Sequence, residues 1–170
     1  MKPSLIVFDT VHGSTEKIAQ WIREGMGGTA DLKKANEVIS LDYGLVIVGS
    51  PIYGHKPLKS ITDFLERERD VLAKRKVALF VVCCDHPYPD LALTVEGYLQ
   101  DFRKQLAKEP LEVRAFGGYL DLNNLNEKQR EGTLLFWKSR GWDAEVMKIL
   151  NNLDEKDAVE FGKRMVAHVG

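Results

Sequence analysis

The chain has 170 residues, enough for one domain with a sizeable core. Its 24 Lys and Arg stand against 25 Asp and Glu, a balance that argues against a nucleic-acid binder working through a cationic surface and leaves no strong acidic field to steer a basic partner. The longest apolar run, residues 77–84, is too short to cross a bilayer, and residues 1–3 enter an apolar run without a signal-peptide pattern. The two cysteines are adjacent and neighbours rarely bridge, so no disulfide framework is expected and the expected compartment is the cytoplasm.

Leu5, Ile6, Val7 and Phe8 form a short buried-strand signal that ends in the polar stretch Asp9-Thr10-Val11-His12-Gly13-Ser14-Thr15. Ile18, Trp21, Ile22, Gly25 and Met26 then recur at helical spacing, and Gly27-Gly28 stops that helix. A weaker strand is expected over residues 29–33. Leu45-Val46-Ile47-Val48-Gly49 is the next buried strand. The stretch Ser50-Pro51-Ile52-Tyr53-Gly54-His55-Lys56-Pro57 follows it, with two prolines and a glycine that no helix would accommodate.

Leu58, Ile61, Leu65 and Leu72 predict a helix, and residues 77–84 predict a strand covered on both faces. After a loop over residues 85–90, Leu91, Val95, Tyr98, Leu99, Phe102 and Leu106 mark another helix. Residues 111–120 read as the last strand, with Gly117-Gly118 as a bulge or end. The remainder reads as helical. Trp142, Val146, Ile149 and Leu150 share one face, and Ala158, Gly162, Met165, Val166 and Val169 share another after an Asp154 cap. Strands alternate with helices and no linker or repeat intervenes. The expected architecture is one domain over residues 1–170, a doubly wound α/β fold with a five-stranded parallel sheet.

In such a sheet a ligand binds beyond the carboxyl ends of the strands, where the winding reverses; for the order 2-1-3-4-5 that place lies between strands one and three. The two most polar, glycine-bearing loops follow those two strands. In the first, Thr10, Ser14 and Thr15 offer hydroxyls, Gly13 allows close approach, and the following helix points its free N–H groups at the same spot. That pattern suits a phosphate, and equally a plain strand–turn–helix with a hydroxyl cap. In the second, Ser50, Ile52 and Gly54 present backbone groups, Tyr53 offers a face for stacking, and His55 offers a hydrogen bond to a heterocycle. The alternative is a proline-punctuated connection whose tyrosine packs on a neighbour.

The first loop resembles that of the flavodoxin family, whose phosphate loop has the form T/S-x-T/S-G-x-T/S. Residues 10–15 match except at His12, where a hydroxyl residue is usual. The order of strands and helices agrees with that family over residues 5–169. Within it, Tyr53-Gly54-His55, the run Phe161-Gly162-Lys163-Arg164 and the pair Ala167-His168 are most similar to the branch containing menaquinone-dependent protoporphyrinogen oxidase. Residues 124–142 lie where that branch carries an extra basic, aromatic stretch, and are less basic here.

The resemblance implies a flavodoxin-like fold and noncovalent FMN, with the phosphate on Thr10, His12, Gly13, Ser14 and Thr15. The ring would lie against Pro51, Ile52, Tyr53, Gly54 and His55, with Cys84, Asp85, His86 and Tyr88 closing its far side. It implies electron transfer or flavin-dependent oxidoreduction, with a redox partner protein or a small-molecule electron acceptor. A flavodoxin fold without flavin, acting as an interaction module, is the alternative.

Alternation sends the Cys83 and Cys84 side chains to opposite faces, so at most one faces the crevice, and buried cysteine commonly serves as a small hydrophobe. His12, Cys84 and His86 fit no zinc spacing. Leu134-Leu135-Phe136-Trp137 with Lys138 and Arg140 either covers one end of the sheet or forms a surface-seeking face for peripheral contact with a membrane or partner. A receiver domain is disfavoured because Gly49-Ser50, not an aspartate, ends strand three. No G-x-G-x-x-G or G-K-[ST] motif follows a strand, which disfavours dinucleotide and P-loop sites.

Overall fold

The computed structural model describes residues 2–169. Strand β1 (Ser4–Phe8) is buried along its whole length and lies between β2 (Asp31–Lys34) and β3 (Leu45–Tyr53), parallel to both. Next to β3 comes β5 (Lys76–Cys83), and next to β5 comes β6 (Val113–Gly117), again parallel. The order is β2-β1-β3-β5-β6, with the two-residue β4 (Lys56–Pro57) folded back antiparallel onto β3. With that short hairpin strand set aside, this is the expected doubly wound order 2-1-3-4-5.

Helix α1 (Ser14–Gly25) and helix α6 (Glu155–Val166) cover one face of the sheet. Helices α2 (Lys59–Arg67), α3 (Arg69–Leu72) and α4 (Ala92–Arg103) cover the other. Because successive strand residues point to opposite faces, each strand feeds both layers. Leu5, Val7, Val46, Val48, Leu79 and Val81 pack with Ile61 and Phe64 of α2 and Phe102 of α4. Ile6, Phe8, Ile47 and Phe80 pack with Ile18 and Ile22 of α1 and Phe161 and Met165 of α6. Each such fully buried side chain stabilises the fold by about 1.5–3 kcal/mol relative to exposure.

The α1–α6 contact is a close one. A Cβ on Gly25 would lie 2.1 Å from the Val159 carbonyl oxygen, and one on Gly162 would lie 2.1 Å from the Ile22 carbonyl oxygen. Only glycine at both crossing points lets these backbones meet, which seats both helices on the sheet.

Four segments differ from the expectation, the first being residues 111–120, expected as one last strand, which divide after Gly117 into β6 and a separate three-residue strand. The strand read as ending at Gly49 runs on to Tyr53, because Ser50 and Pro51 keep their places opposite Val81 and Val82 of β5. The helix expected through Leu72 breaks at Glu68 into α2 and α3. Ile149 and Leu150, read as one helical face with Trp142 and Val146, instead belong to strand β8 (Ile149–Asn151). It pairs antiparallel with β7 (Tyr119–Asp121), which follows directly on β6. Between β7 and β8 lies helix α5 (Glu127–Ser139), started by an Asn126–Gln129 capping box. Three-residue strands have too little sequence for a periodic signal, so their apolar spacing reads as helical.

The insertion from β7 to β8 has its own small core. Leu122, Trp137 and Leu150 are buried in it, with Cys84, Tyr88, Leu120, Phe136 and Trp142 packed around them. Residues 134–137 therefore cover the carboxyl end of the sheet, although Leu135 remains exposed.

Candidate functional site

Strands β1, β3 and β5 end side by side, and their loops surround a cavity of about 230 Å³. His12 and Ser14 line it from the β1 loop, Pro51, Ile52 and Tyr53 from β3, and Cys84 from the end of β5. The fourth side comes from the insertion, through Gly118, Tyr119, Leu120, Asp121, Asn124 and Leu125. Val82 and Cys83 complete the lining.

The β1 loop is ordered by its own hydrogen bonds. Asp9 accepts from the Thr10 amide at 2.8 Å and from Ser60 Oγ at 2.5 Å, so its carboxylate is held towards α2. Thr10 Oγ1 accepts from the Gly13 N–H at 2.9 Å. Gly13 has φ +93°, a left-handed conformation that opens directly into α1 without a side-chain cap. Lys17 is the first residue of the helix to donate within it, to the Gly13 carbonyl. The N–H groups of Ser14, Thr15 and Glu16 consequently have no intrahelical acceptor.

Two further observations mark this spot. Thr15 Oγ1 is buried without a hydrogen-bond partner, an arrangement that costs about 1–3 kcal/mol unless something else satisfies it. A Cβ on Gly13 would meet nothing within 4 Å, so the space above the loop is open. Open space, free helix N–H groups and an orphaned hydroxyl together suit an anion.

The Ser14 hydroxyl is already engaged. It donates to the Tyr119 carbonyl and accepts from the Tyr119 N–H, both at 3.0 Å. His12 sits edge-on to Tyr53, with ring centroids 6.2 Å apart. Burial, with a smaller contribution from nearby Cys84, pushes the Tyr53 phenol up to about 12, so it stays protonated at neutral pH. The same burial raises Cys83 to about 12 and Cys84 to about 11, which keeps both as neutral thiols.

The other residues singled out in the sequence lie around the cavity rather than in its lining. Ser50 is fully buried; its hydroxyl donates to the Pro51 carbonyl and accepts from the Leu58 amide, so it holds the β3–α2 connection together. Gly54 and His55 form the exposed turn of the β3–β4 hairpin, both with positive φ (55° and 64°), as a type I′ turn requires. His55 Nδ1 lies 2.7 Å from the Tyr98 hydroxyl, which donates to Asp85 Oδ2 at 2.6 Å.

His86 turns away, towards the Arg114–Asp157 ion pair at the start of α6, and burial holds its pKa below the usual imidazole range. Tyr88 packs in the insertion core, where Arg140 lies over its ring and its hydroxyl accepts from Asn152 Nδ2. No group of three or more metal-binding side chains occurs among the described residues.

Residues 5–141 match the model for the flavodoxin domain. The chain belongs to the flavodoxin family. No curated protein sequence matches this flavodoxin-family chain. Among solved structures it is similar in fold to a short-chain flavodoxin associated with a bacterial microcompartment, at 12% identity and TM-score 0.59, with all of both chains covered. It is also similar to two-electron reduced flavodoxin from Megasphaera elsdenii, at 14% identity and TM-score 0.56, over 96% of this chain and 98% of that one. A flavoprotein from Lactobacillus acidophilus in complex with FMN aligns over 68% of this chain and 93% of its own, at 16% identity and TM-score 0.54.

Within this flavodoxin-family chain, the wall supplied by the insertion is what sequence reasoning missed. Gly117-Gly118 marked a strand end, but no local signal tells that the next three residues return across the cavity mouth. A pairing between β7 and β8 nearly thirty residues apart decides that.

Proposed function

We propose that this flavodoxin-family protein binds FMN noncovalently and works in electron transfer or flavin-dependent oxidoreduction. The observation that carries the reading is the uncapped start of α1, with the unpartnered Thr15 hydroxyl beside it, opening next to the cavity at the ends of β1 and β3. These features fit the group: a phosphate takes up free helix N–H donors and a buried hydroxyl, and a planar ring suits an apolar crevice.

On this reading the amides of Ser14, Thr15 and Glu16 and the Thr15 hydroxyl hold the phosphate. Pro51, Ile52 and Tyr53 offer the ring its apolar support, with His12 and Cys84 beside it. Bound FMN would supply one- or two-electron redox chemistry. The chain binds and orients the ring, keeps water from one side of it through the insertion, and keeps the Tyr53 phenol protonated beside it. With both cysteines free, the reading suits a reducing compartment such as the cytoplasm. The Tyr53-Gly54-His55 resemblance supports a small-molecule oxidoreductase of the protoporphyrinogen-oxidase type as the finer version, against a carrier serving a redox partner protein.

Two observations favour a second reading, a flavin-free interaction module. The Ser14 hydroxyl is committed to Tyr119, and the cavity is smaller than the roughly 300–1,000 Å³ of typical ligand pockets. An FMN titration followed by visible absorption and flavin fluorescence separates the two. Saturable binding with quenched fluorescence is the expected result; a protein that leaves the FMN spectrum unaltered overturns the flavoprotein reading and supports the module.

A further inference from the structure

Next in sequence to residues that line the cavity, side chains from three separate elements form one hydrogen-bonded chain. His55 comes from the β3–β4 turn, Tyr98 from α4, and Asp85 from the residues just after β5. His55 lies two residues beyond Tyr53, and Asp85 one beyond Cys84, both of which line the cavity. Tyr98 is buried, whereas His55 is exposed.

The direction of the chain follows from counting protons. A tyrosine hydroxyl has one hydrogen to give, and an ionised carboxylate has none. Burial foremost, and then the hydrogen bond and charge of Asp85, raise the Tyr98 pKa, so the hydroxyl keeps its proton. That proton goes to Asp85 Oδ2 at 2.6 Å. The Tyr98 oxygen is then an acceptor, and the 2.7 Å contact with His55 must be filled by a hydrogen on Nδ1. A neutral imidazole carries one N–H, so Nε2 is left with its lone pair.

On this count the hydrogen bond from His55 to a ring expected from the sequence belongs to the imidazolium form alone. Neutral His55 has already given its only N–H to Tyr98. The φ of His55, +64°, is the one its place in the type I′ turn requires, so the turn fixes where the ring starts from.

We infer that Tyr98 and Asp85 are positioning residues that hold His55 in its Nδ1–H tautomer and present Nε2 at the cavity rim as a proton acceptor. The ligand class is a small donor with an acidic N–H or O–H. Its proton moves to Nε2 while the bonding electron pair stays on the donor atom, and the imidazolium so formed remains hydrogen-bonded through Tyr98 to the Asp85 carboxylate. The role towards a donor rests on the flavoprotein reading; the tautomer does not.

The test is long-range ¹H–¹⁵N correlation NMR of the four histidines in the FMN-free protein at pH 8, with His55 assigned by its loss in His55→Asn. The expected result is a protonated Nδ1 and an unprotonated Nε2 for His55. An Nε2–H tautomer in the unaltered protein overturns the inference, whether or not any variant folds. Tyr98→Phe, which removes the acceptor, and Asp85→Asn, whose amide can donate to Tyr98, should each shift His55 towards the Nε2–H form. An unchanged tautomer in both overturns the positioning role.

FMN is then added to the unaltered protein. Uptake with shifted His55 nitrogen resonances supports the placement of Nε2 at the site. Uptake without such a shift leaves the flavoprotein reading standing and overturns that placement. Absence of uptake removes the donor role along with the flavoprotein reading, and the tautomer result is unaffected.

Discussion

Ser14 Oγ is bonded twice to the backbone of Tyr119, accepting its N–H and donating to its carbonyl at 3.0 Å each, across 105 residues of sequence. The pair pins the insertion to the loop that starts α1. Ser14→Ala should cost about 1 kcal/mol of stability and loosen β7 without disturbing the main sheet. Hydrogen exchange at the Tyr119 amide should accelerate while exchange in β1 and β3 stays slow. Unaltered exchange at Tyr119 would show that the insertion is held in place by its own core.

Gly13 separates two effects at one position. Gly13→Ala and Gly13→Asp both force a side chain into φ +93°, which should cost each about 1–2 kcal/mol in urea unfolding. Only the aspartate also places a negative charge at the open start of α1, where it competes with a bound anion. FMN binding should be lost in Gly13→Asp and kept, though weakened, in Gly13→Ala. Equal FMN affinity in the two variants would show that the phosphate lies elsewhere.

Gly162→Ala should destabilise the protein by about 1–3 kcal/mol, because its Cβ would lie 2.1 Å from the Ile22 carbonyl oxygen and push α6 from α1. A lowered urea midpoint with an unchanged slope is the expected outcome. An unchanged midpoint would mean that the two helices separate freely, and that the sheet face beneath them is less tightly packed than it is here.

Both thiols should be nearly inert in the folded protein. With Cys84 at about 11 and Cys83 at about 12, the thiolate fraction at pH 8 is about one part in a thousand or less. Reaction with an aromatic disulfide reagent should be very slow in the native state and fast in denaturant. A rapid native-state reaction at either residue would reopen a redox role for the pair.

His86 gives the stability a pH dependence whose sign is set by burial. Its folded pKa lies below the ordinary 6.5 because the charged imidazole is poorly solvated beside the Arg114–Asp157 pair. The contribution is therefore present above pH 6.5 and lost as the pH falls below it through the folded pKa. His86→Gln, which cannot titrate, should show a smaller loss of stability over that acid range. Parallel stability profiles for the two proteins would place the acid sensitivity elsewhere.

Much of the sheet was legible from local patterns. β1, β3 and β5 carry continuous apolar runs, and α1, α4 and α6 carry apolar faces at helical spacing, so their residues announce their structure with little help from neighbours. The short strands β7 and β8 announce nothing, since three residues acquire a conformation only by pairing with a partner. The candidate site divides the same way. Thr10 and Gly13 act through a hydrogen bond and a backbone angle inside their own loop, so a local motif could nominate them.

The sequence by itself determined the doubly wound architecture and the two loops at its switch point, because alternation and helical spacing are properties of adjacent residues. Tertiary structure alone decided which polar groups in those loops remain free. Ser14 is taken by Tyr119, Ser50 by the β3–α2 connection, and His55 by Tyr98, while Thr15 keeps an unused hydroxyl. A hydrogen bond joins whatever the fold brings within about 3 Å, and most of these partners lie many residues apart in sequence.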